Sequence, residues 1–215
     1  MRLKNKIAVI TGAGSGFGKG IAIRFAEEGA KVVIADINLV SAEKVAAEIG
    51  KNALAVAGDV SQDGDVSSMF ERTLKHYGRV DILINNAGTT HRNKPMTEVT
   101  EVEFEQIFAV NVKSVFLTSK HGVPLMKKQG HGVILNVAST AGLRPRPGLV
   151  WYNTSKGAMI TATKAMAIEL ATFKIRVNAI NPVAGETGML PLFMGEEATF
   201  PFQGLNSFQV FHGDV

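Results

Sequence analysis

The sequence predicts an α/β protein built on one doubly wound parallel sheet, with helices on both faces. Three observations predict it. Short apolar runs alternate with helical patterns along the chain, and such βαβ alternation implies parallel strands joined by right-handed crossovers. The first apolar run leads into a glycine-rich turn that opens a helix. The residues able to carry chemistry fall just after the candidate strands, at the carboxyl ends where open α/β sheets bind ligands.

The elements follow in order. Candidate strands cover 7–11, 31–35, 53–57, 80–84, 132–137 and 175–180, and candidate helices cover 17–28, 41–49, 63–77, 101–121 and 152–173. Ile7-Ala8-Val9-Ile10 is apolar throughout, as a strand covered on both faces should be. Ile21, Ala22, Phe25 and Ala26 then recur at helical spacing. Thr100 with Glu103 has the form of a capping box opening the fourth helix, and Gly122 and Pro124 are expected to break it. The chain shows no internal repeat and no low-complexity segment.

Between the first strand and the first helix stands Thr11-Gly12-Ala13-Gly14-Ser15-Gly16-Phe17-Gly18. A strand, a glycine turn and a helix N-terminus together form a site for an anionic pyrophosphate, because backbone N–H groups point at it and no side chains block its approach. The spacing is neither GxGxxG, since Phe17 and Lys19 stand where the last glycine would fall, nor a P-loop, since Ala13 and Gly20 break that pattern. It is TGxxxGxG, with Gly12, Gly16 and Gly18. Asp36 ends the next strand about twenty residues on, where an acid is suited to both ribose hydroxyls of NAD and would repel the phosphate of NADP. Ser15 and Ile37 offer no compensating cation. NAD is therefore expected over NADP.

Tyr152 and Lys156 are four residues apart, so a helix places them on one face. An ordinary phenol, with a pKa of about 10, is a poor base at neutral pH. A neighbouring ammonium and an oxidised nicotinamide both favour phenolate and are expected to bring it into a working range. Ser139 ends a strand thirteen positions before the tyrosine. It is not a nucleophile of the GxSxG kind, because Val137 and Ala141 stand where glycines would be needed. It is placed to hydrogen-bond a substrate oxygen.

These residues resemble the short-chain dehydrogenase/reductase family in its TGxxxGxG/YxxxK branch, similar to 3-oxoacyl reductases and sugar dehydrogenases. The resemblance runs from Lys6 to about Met194 and takes in Asn85-Asn86-Ala87-Gly88. It implies a Rossmann-type sheet of about six strands, the family's last strand being absent, in a domain over 1–195 followed by an atypical tail over 196–215. It implies a catalytic tetrad of Asn111, Ser139, Tyr152 and Lys156. In it Asn111 holds a water relay, Ser139 orients the substrate, Tyr152 is the acid or base, and Lys156 binds ribose and tunes the tyrosine. Cofactor contacts are implied at Gly12, Ser15, Gly16, Phe17, Gly18, Asp36, Asp59, Val60, Asn86, Ala87, Gly88, Tyr152, Lys156, Pro182 and Thr187. The implied reaction is NAD(P)-dependent hydride transfer at the carbon of a secondary alcohol or ketone. The epimerase branch shares YxxxK but carries TGxxGxxG, and Ser15 replaces its second glycine.

Composition agrees with one compact domain of 215 residues, 46% hydrophobic, free of cysteine and of any apolar run approaching the ~20 residues of a membrane helix. Without disulfides or a signal-like leader, the cytoplasm is the expected compartment. The net charge of +4 is mild and scattered, with no basic patch for nucleic acid. The five histidines show no metal-ligand spacing. Arg144, Arg146 and His91 are candidates to meet an anionic group, though solvent-facing loop charges are the preferred reading, and Trp151 reads as either pocket wall or core packing. Val183 departs from the family's usual glycine. From Glu196 to Val215 the chain carries four phenylalanines with no regular period. This tail leads to three expectations: an exposed sixth-strand edge, a weakened homo-oligomer, and a partly missing substrate lid. An alternative reading follows, a dinucleotide-binding protein with impaired catalysis.

Overall fold

The computed structural model describes residues 1–183, 185, 187–194 and 208–211. Its sheet has the order β3-β2-β1-β4-β5-β6-β7. The strands are β1 (Ile7–Thr11), β2 (Lys31–Asp36), β3 (Ala53–Ala57), β4 (Ile82–Asn85), β5 (Gly132–Val137), β6 (Ile175–Pro182) and β7 (Phe208–Phe211). The first six are mutually parallel. Their helices are α1 (Gly16–Glu27), α2 (Leu39–Ile49), α3 (Asp63–Tyr77), α4 (Glu101–Phe108), α5 (Ser114–Gln129), α6 (Val150–Leu170) and α7 (Leu190–Met194).

Alternation along the strands explains why they are apolar throughout. In β1, Val9 joins a core formed with Val66, Phe70 and Leu117 of α3 and α5. Its neighbours Ala8 and Ile10 face the opposite core, with Ala22 of α1 and Ala42 and Val45 of α2. Both faces are covered, so every residue of β1 is buried. Because β1 pairs with β2 on one side and β4 on the other, the chain reverses direction across the sheet beside the glycine turn. A crevice at such a reversal is where doubly wound folds take their ligands.

The opposite end of the sheet is clasped by Asp81. Its buried carboxylate accepts from Ile7 N at 2.8 Å, Arg79 Nε at 3.0 Å and His131 Nε2 at 3.1 Å. Burial opposes that charge, but the bonds from Arg79, Ile7 and His131 outweigh it and hold the carboxyl below its ordinary value.

Two local expectations are corrected. The fourth helix does not end at Gly122 or Pro124. It passes from α4 through a π-helical segment, Ala109–Lys113, into α5, which continues to Gln129. Gly122 is a packing residue: a β-carbon there would stand 3.0 Å from the ring of Phe70. Pro124 costs one backbone hydrogen bond, and burial of Val115, Leu117 and Met126 holds the helix across it. The capping box is present, with Thr100 Oγ1 accepting from Glu103 N and the Glu103 carboxylate from Thr100 N.

The sixth strand is not a bare edge either. Its carboxyl-terminal half, Ala179 to Pro182, pairs antiparallel with β7, giving seven strands where about six were expected. The backbone groups of β6 offer a pairing template that a later segment can satisfy. The rest of the tail over 196–215 lies outside the described residues.

Candidate active site

A cavity of about 470 Å³ opens along the carboxyl ends of the parallel strands. Its floor is the glycine turn. Thr11, at the end of β1, locks that turn to β4: its Oγ1 accepts from Asn86 N and Ala87 N, both at 3.0 Å, and donates to Ile84 O at 3.3 Å. Asn86 completes the lock by donating from Nδ2 to Thr11 O at 2.8 Å and Gly12 O at 3.0 Å. Gly12 and Gly16 adopt positive φ values of 61° and 52°, which glycine reaches without strain. Ser15 stands at the N-cap of α1 but makes no side-chain cap bond. The first turn of the helix is thus not capped by its own serine, and it faces the cavity beside Gly16 and Phe17.

This cradle fits a dinucleotide. Gly14 N donates to Asp36 Oδ2 at 2.8 Å, and Asn38 N donates to Asp36 Oδ1 at 2.9 Å. The carboxylate is therefore fixed in direction while keeping lone pairs for two hydroxyl donors. Asp59 is oriented through Ser61 N, which donates to its Oδ1 at 2.8 Å. Asp36, Asp59 and Val60 line one end of the cavity, with Ile37 and Gly58. Ala87, Gly88, Pro182 and Thr187 line it further along. Thr187 rests 3.2 Å from where a β-carbon of Gly16 would lie, and Gly185 packs against the ring of Phe17. The described part of the lid is thus folded over the turn. Phe193 in α7 lies with its ring centroid 5.1 Å from that of Tyr152.

At the other end Ser139, Tyr152 and Lys156 converge on the same cavity. Ser139 is the last residue before a short turn, and its Oγ accepts from Ala141 N at 3.1 Å. It also acts on the Tyr152 phenol in the direction that favours ionisation. Lys156 Nζ donates to Val137 O at 2.9 Å and lies 5.9 Å from the centroid of the Tyr152 ring. Burial lowers its pKa to about 8. Burial also pushes the Tyr152 phenol above its ordinary value, against the opposing effects of Ser139 and the Arg146 charge. Burial thus works against the phenolate that the ammonium and an oxidised nicotinamide are expected to favour. At 5% exposure the tyrosine lacks the solvent that would stabilise a phenolate.

Two of the residues implied by resemblance stand off the cavity wall. Gly18 is one. A β-carbon there would overlap the Gly12 carbonyl oxygen and stand 2.5 Å from Asn86 Nδ2. Its role is to let α1 sit directly on the turn. Asn111 is the other, fully buried in the π-helical segment. Its Oδ1 accepts from Thr89 N at 2.8 Å, and its Nδ2 donates to Thr89 O and Ser155 Oγ, each at 2.9 Å. A β-carbon at Gly88 would stand 3.4 Å from both Asn111 Oδ1 and Lys156 Nζ, so the missing side chain leaves these two groups facing one gap.

Other residues were invisible as site components in the sequence. Asn85 and Asn136 interrupt apolar strands, a signal that could have marked them. Asn85 Nδ2 donates to Asn136 Oδ1 at 2.8 Å, and Asn136 Nδ2 donates to Thr163 Oγ1 at 2.8 Å. This buried network ties β4 and β5 to α6, the helix that carries Tyr152 and Lys156. Arg146 is exposed, as a loop charge should be, and it also lines the cavity. Arg144 is exposed and off the wall, and His91 is buried at 4% exposure. Trp151 packs edge-on against Phe104 at 5.2 Å rather than lining the cavity.

Comparison with known proteins agrees with this geometry. The family model for short chain dehydrogenases matches residues 6–195. A 4-formylbenzenesulfonate dehydrogenase of Comamonas testosteroni is 47% identical over 202 residues, covering 93% of this chain and 80% of the relative. A crystal structure of a 3-ketoacyl-(acyl-carrier-protein) reductase from Brucella melitensis complexed with NADH superposes with a TM-score of 0.88 at 54% identity, covering 89% of this chain and 81% of that one. An NAD+-bound xylitol dehydrogenase superposes with a TM-score of 0.82 at 33% identity, covering 85% of this chain and 72% of that one. No helix among the described residues is long and apolar enough to cross a membrane, and no cluster of potential metal ligands occurs among them. The chain belongs to the short-chain dehydrogenase family of oxidoreductases.

Proposed function

We propose that this protein interconverts a secondary alcohol and a ketone with NAD as its cofactor, using Tyr152 as the acid–base group. The observation that carries this reading is the convergence of Ser139, Tyr152 and Lys156 on the cavity whose other end is the glycine turn and Asp36. Asp36, Asp59 and Val60 hold the adenosine end, and Ser15, Gly16 and the first turn of α1 hold the pyrophosphate. Pro182 and Thr187 meet the nicotinamide end. The bound nicotinamide supplies the hydride acceptor or donor.

The chain's own residues do the rest. Ser139 Oγ donates a hydrogen bond to the substrate oxygen and fixes it beside the Tyr152 hydroxyl. In oxidation Tyr152 Oη takes the alcohol proton as hydride leaves the carbinol carbon. In reduction Tyr152 Oη returns a proton to the forming alkoxide. Lys156 holds the ribose and supplies positive charge near the phenol, favouring its ionised form. Asn111 is a positioning residue: it holds Thr89 and Ser155 around Lys156, and the gap at Gly88 is the place for the relay implied by resemblance. Leu149, Phe193 and α7 cover the site and keep bulk water from the transferred proton.

Asp36 supplies the test of cofactor choice. Its carboxylate stands where a ribose phosphate would have to go, and Ile37 beside it offers no cation. Fluorescence titration should give NADH at least about tenfold tighter binding than NADPH, as expected for more than about 1.4 kcal/mol of discrimination. Equal affinities, or the reverse order, would refute the role of Asp36.

A further inference from the structure

The substrate end of the cavity is divided by chemistry. Leu149, Met189, Leu190 and Phe193 form an apolar wall around Tyr152. Arg146 brings a guanidinium to the same cavity, and it is close enough to act electrostatically on the Tyr152 phenol. Other charges on the wall are already assigned: Asp36 and Asp59 lie at the adenosine end, and Lys156 is tied to Val137 O. Among the described residues Arg146 has no carboxylate partner to neutralise it.

The segment that presents Arg146 is anchored on both sides. Asn153 Nδ2, on the first turn of α6 beside Tyr152, donates to Arg146 O at 2.8 Å. Arg144 N donates to Thr140 O at 2.7 Å, and Lys94 N donates to Gly148 O at 3.0 Å. Gly148 turns the chain at a φ of 75°. These bonds fix the backbone at 146 beside the rim, and the exposed side chain reaches the cavity from there. A planar guanidinium at the mouth of an apolar slot suits a carboxylate or sulfonate, which it can bind through two parallel hydrogen bonds.

Resting on the oxidoreductase reading above, we infer that the substrate is an organic anion: a carbonyl or carbinol carbon on an apolar body whose carboxylate or sulfonate is held by Arg146. The apolar wall takes the body, Ser139 and Tyr152 take the oxygen, and Arg146 takes the anionic end. Among the described residues the lining near Arg146 carries no acid to repel such a group.

Binding rather than turnover tests this, with benzoate and its uncharged isostere benzamide as probes. Calorimetry on protein saturated with NAD+ should show benzoate binding at least about tenfold more tightly than benzamide, a charge-assisted pairing being stronger than a neutral one. Arg146→Gln should bring the two probes within about twofold, and Arg146→Lys should restore part of the difference. NADH affinity should be the same in all three proteins. The inference is overturned if benzoate has no advantage over benzamide, including the case where neither binds, or if the advantage survives Arg146→Gln. It is also overturned if Arg146→Gln weakens NADH and benzoate alike, which would make Arg146 a cofactor ligand. Loss of NADH binding in every protein, wild type included, would instead refute the dinucleotide reading. The benzoate comparison, repeated without dinucleotide, would still judge Arg146 separately.

Discussion

Tyr152→Phe should reduce turnover by at least about a hundredfold while leaving NADH affinity within about twofold, since general acid–base groups contribute on the order of 10²–10⁴ in rate. The change removes one oxygen from a ring that is otherwise packed against Phe193, Leu149 and Ala141, so the fold has no reason to alter. The same oxygen sets the pH dependence. Burial raises the phenol, so phenolate is scarce at neutral pH and increases as pH rises. Oxidation of an alcohol, which needs Tyr152 to accept a proton, should therefore accelerate from neutral to alkaline pH. Reduction, which needs the protonated phenol, should slow over the same range. Steady-state rates in both directions across that range check the sign, and parallel profiles would contradict it.

Gly18→Ala should be the most damaging single methyl group that can be added to the glycine turn. The new carbon overlaps the Gly12 carbonyl oxygen and crowds the Ala13 backbone and Asn86 Nδ2, which is held by its bonds to Thr11 O and Gly12 O. Forced overpacking of this kind costs typically 1–3 kcal/mol. In a domain of this size each ~1 kcal/mol moves the melting temperature by about 2–4 °C. The variant should melt several degrees below wild type, and NADH should bind at least about tenfold more weakly because α1 is pushed off the turn. Gly20→Ala, one helical residue pair further on, is the control. Nothing lies within 4 Å of its new carbon, and alanine is the better helix former by about 1 kcal/mol. That variant should melt slightly higher and bind NADH as before. A Gly18→Ala protein indistinguishable from Gly20→Ala in both measurements would show that close packing of α1 on the turn is not needed.

Much of this site was legible in the sequence because its parts sit where local rules are strongest. A glycine turn between a buried strand and a helix has few alternative uses, and a tyrosine and lysine four residues apart share a helix face wherever the helix lies. Asp36 and Ser139 are strand ends, and strand ends of a parallel sheet share one edge. What was not legible depends on neighbours distant in the chain. Gly18 and Gly122 look like a ligand contact and a helix breaker until Gly12 and Phe70 are placed against them. Asn111 reads as the holder of a water relay, and only the fold shows that Thr89 and Ser155 take up its amide. The phenol of Tyr152 looks acidified by Lys156 until its burial is known. Arg146 looks like any loop arginine until Asn153 pins its backbone to the rim. The tail resembled a ragged end by composition, yet Phe208–Phe211 pairs with β6, because backbone groups at a sheet edge ask little of side-chain pattern.

The most direct test is a crystal structure of the protein grown with NADH. The account places the adenine end against Asp36, Asp59 and Val60, the pyrophosphate over Ser15 and Gly16, and the nicotinamide ring beside the hydroxyl of Tyr152 with its ribose on Lys156. A dinucleotide bound elsewhere, or bound in this cavity with its nicotinamide turned away from Tyr152, would contradict it.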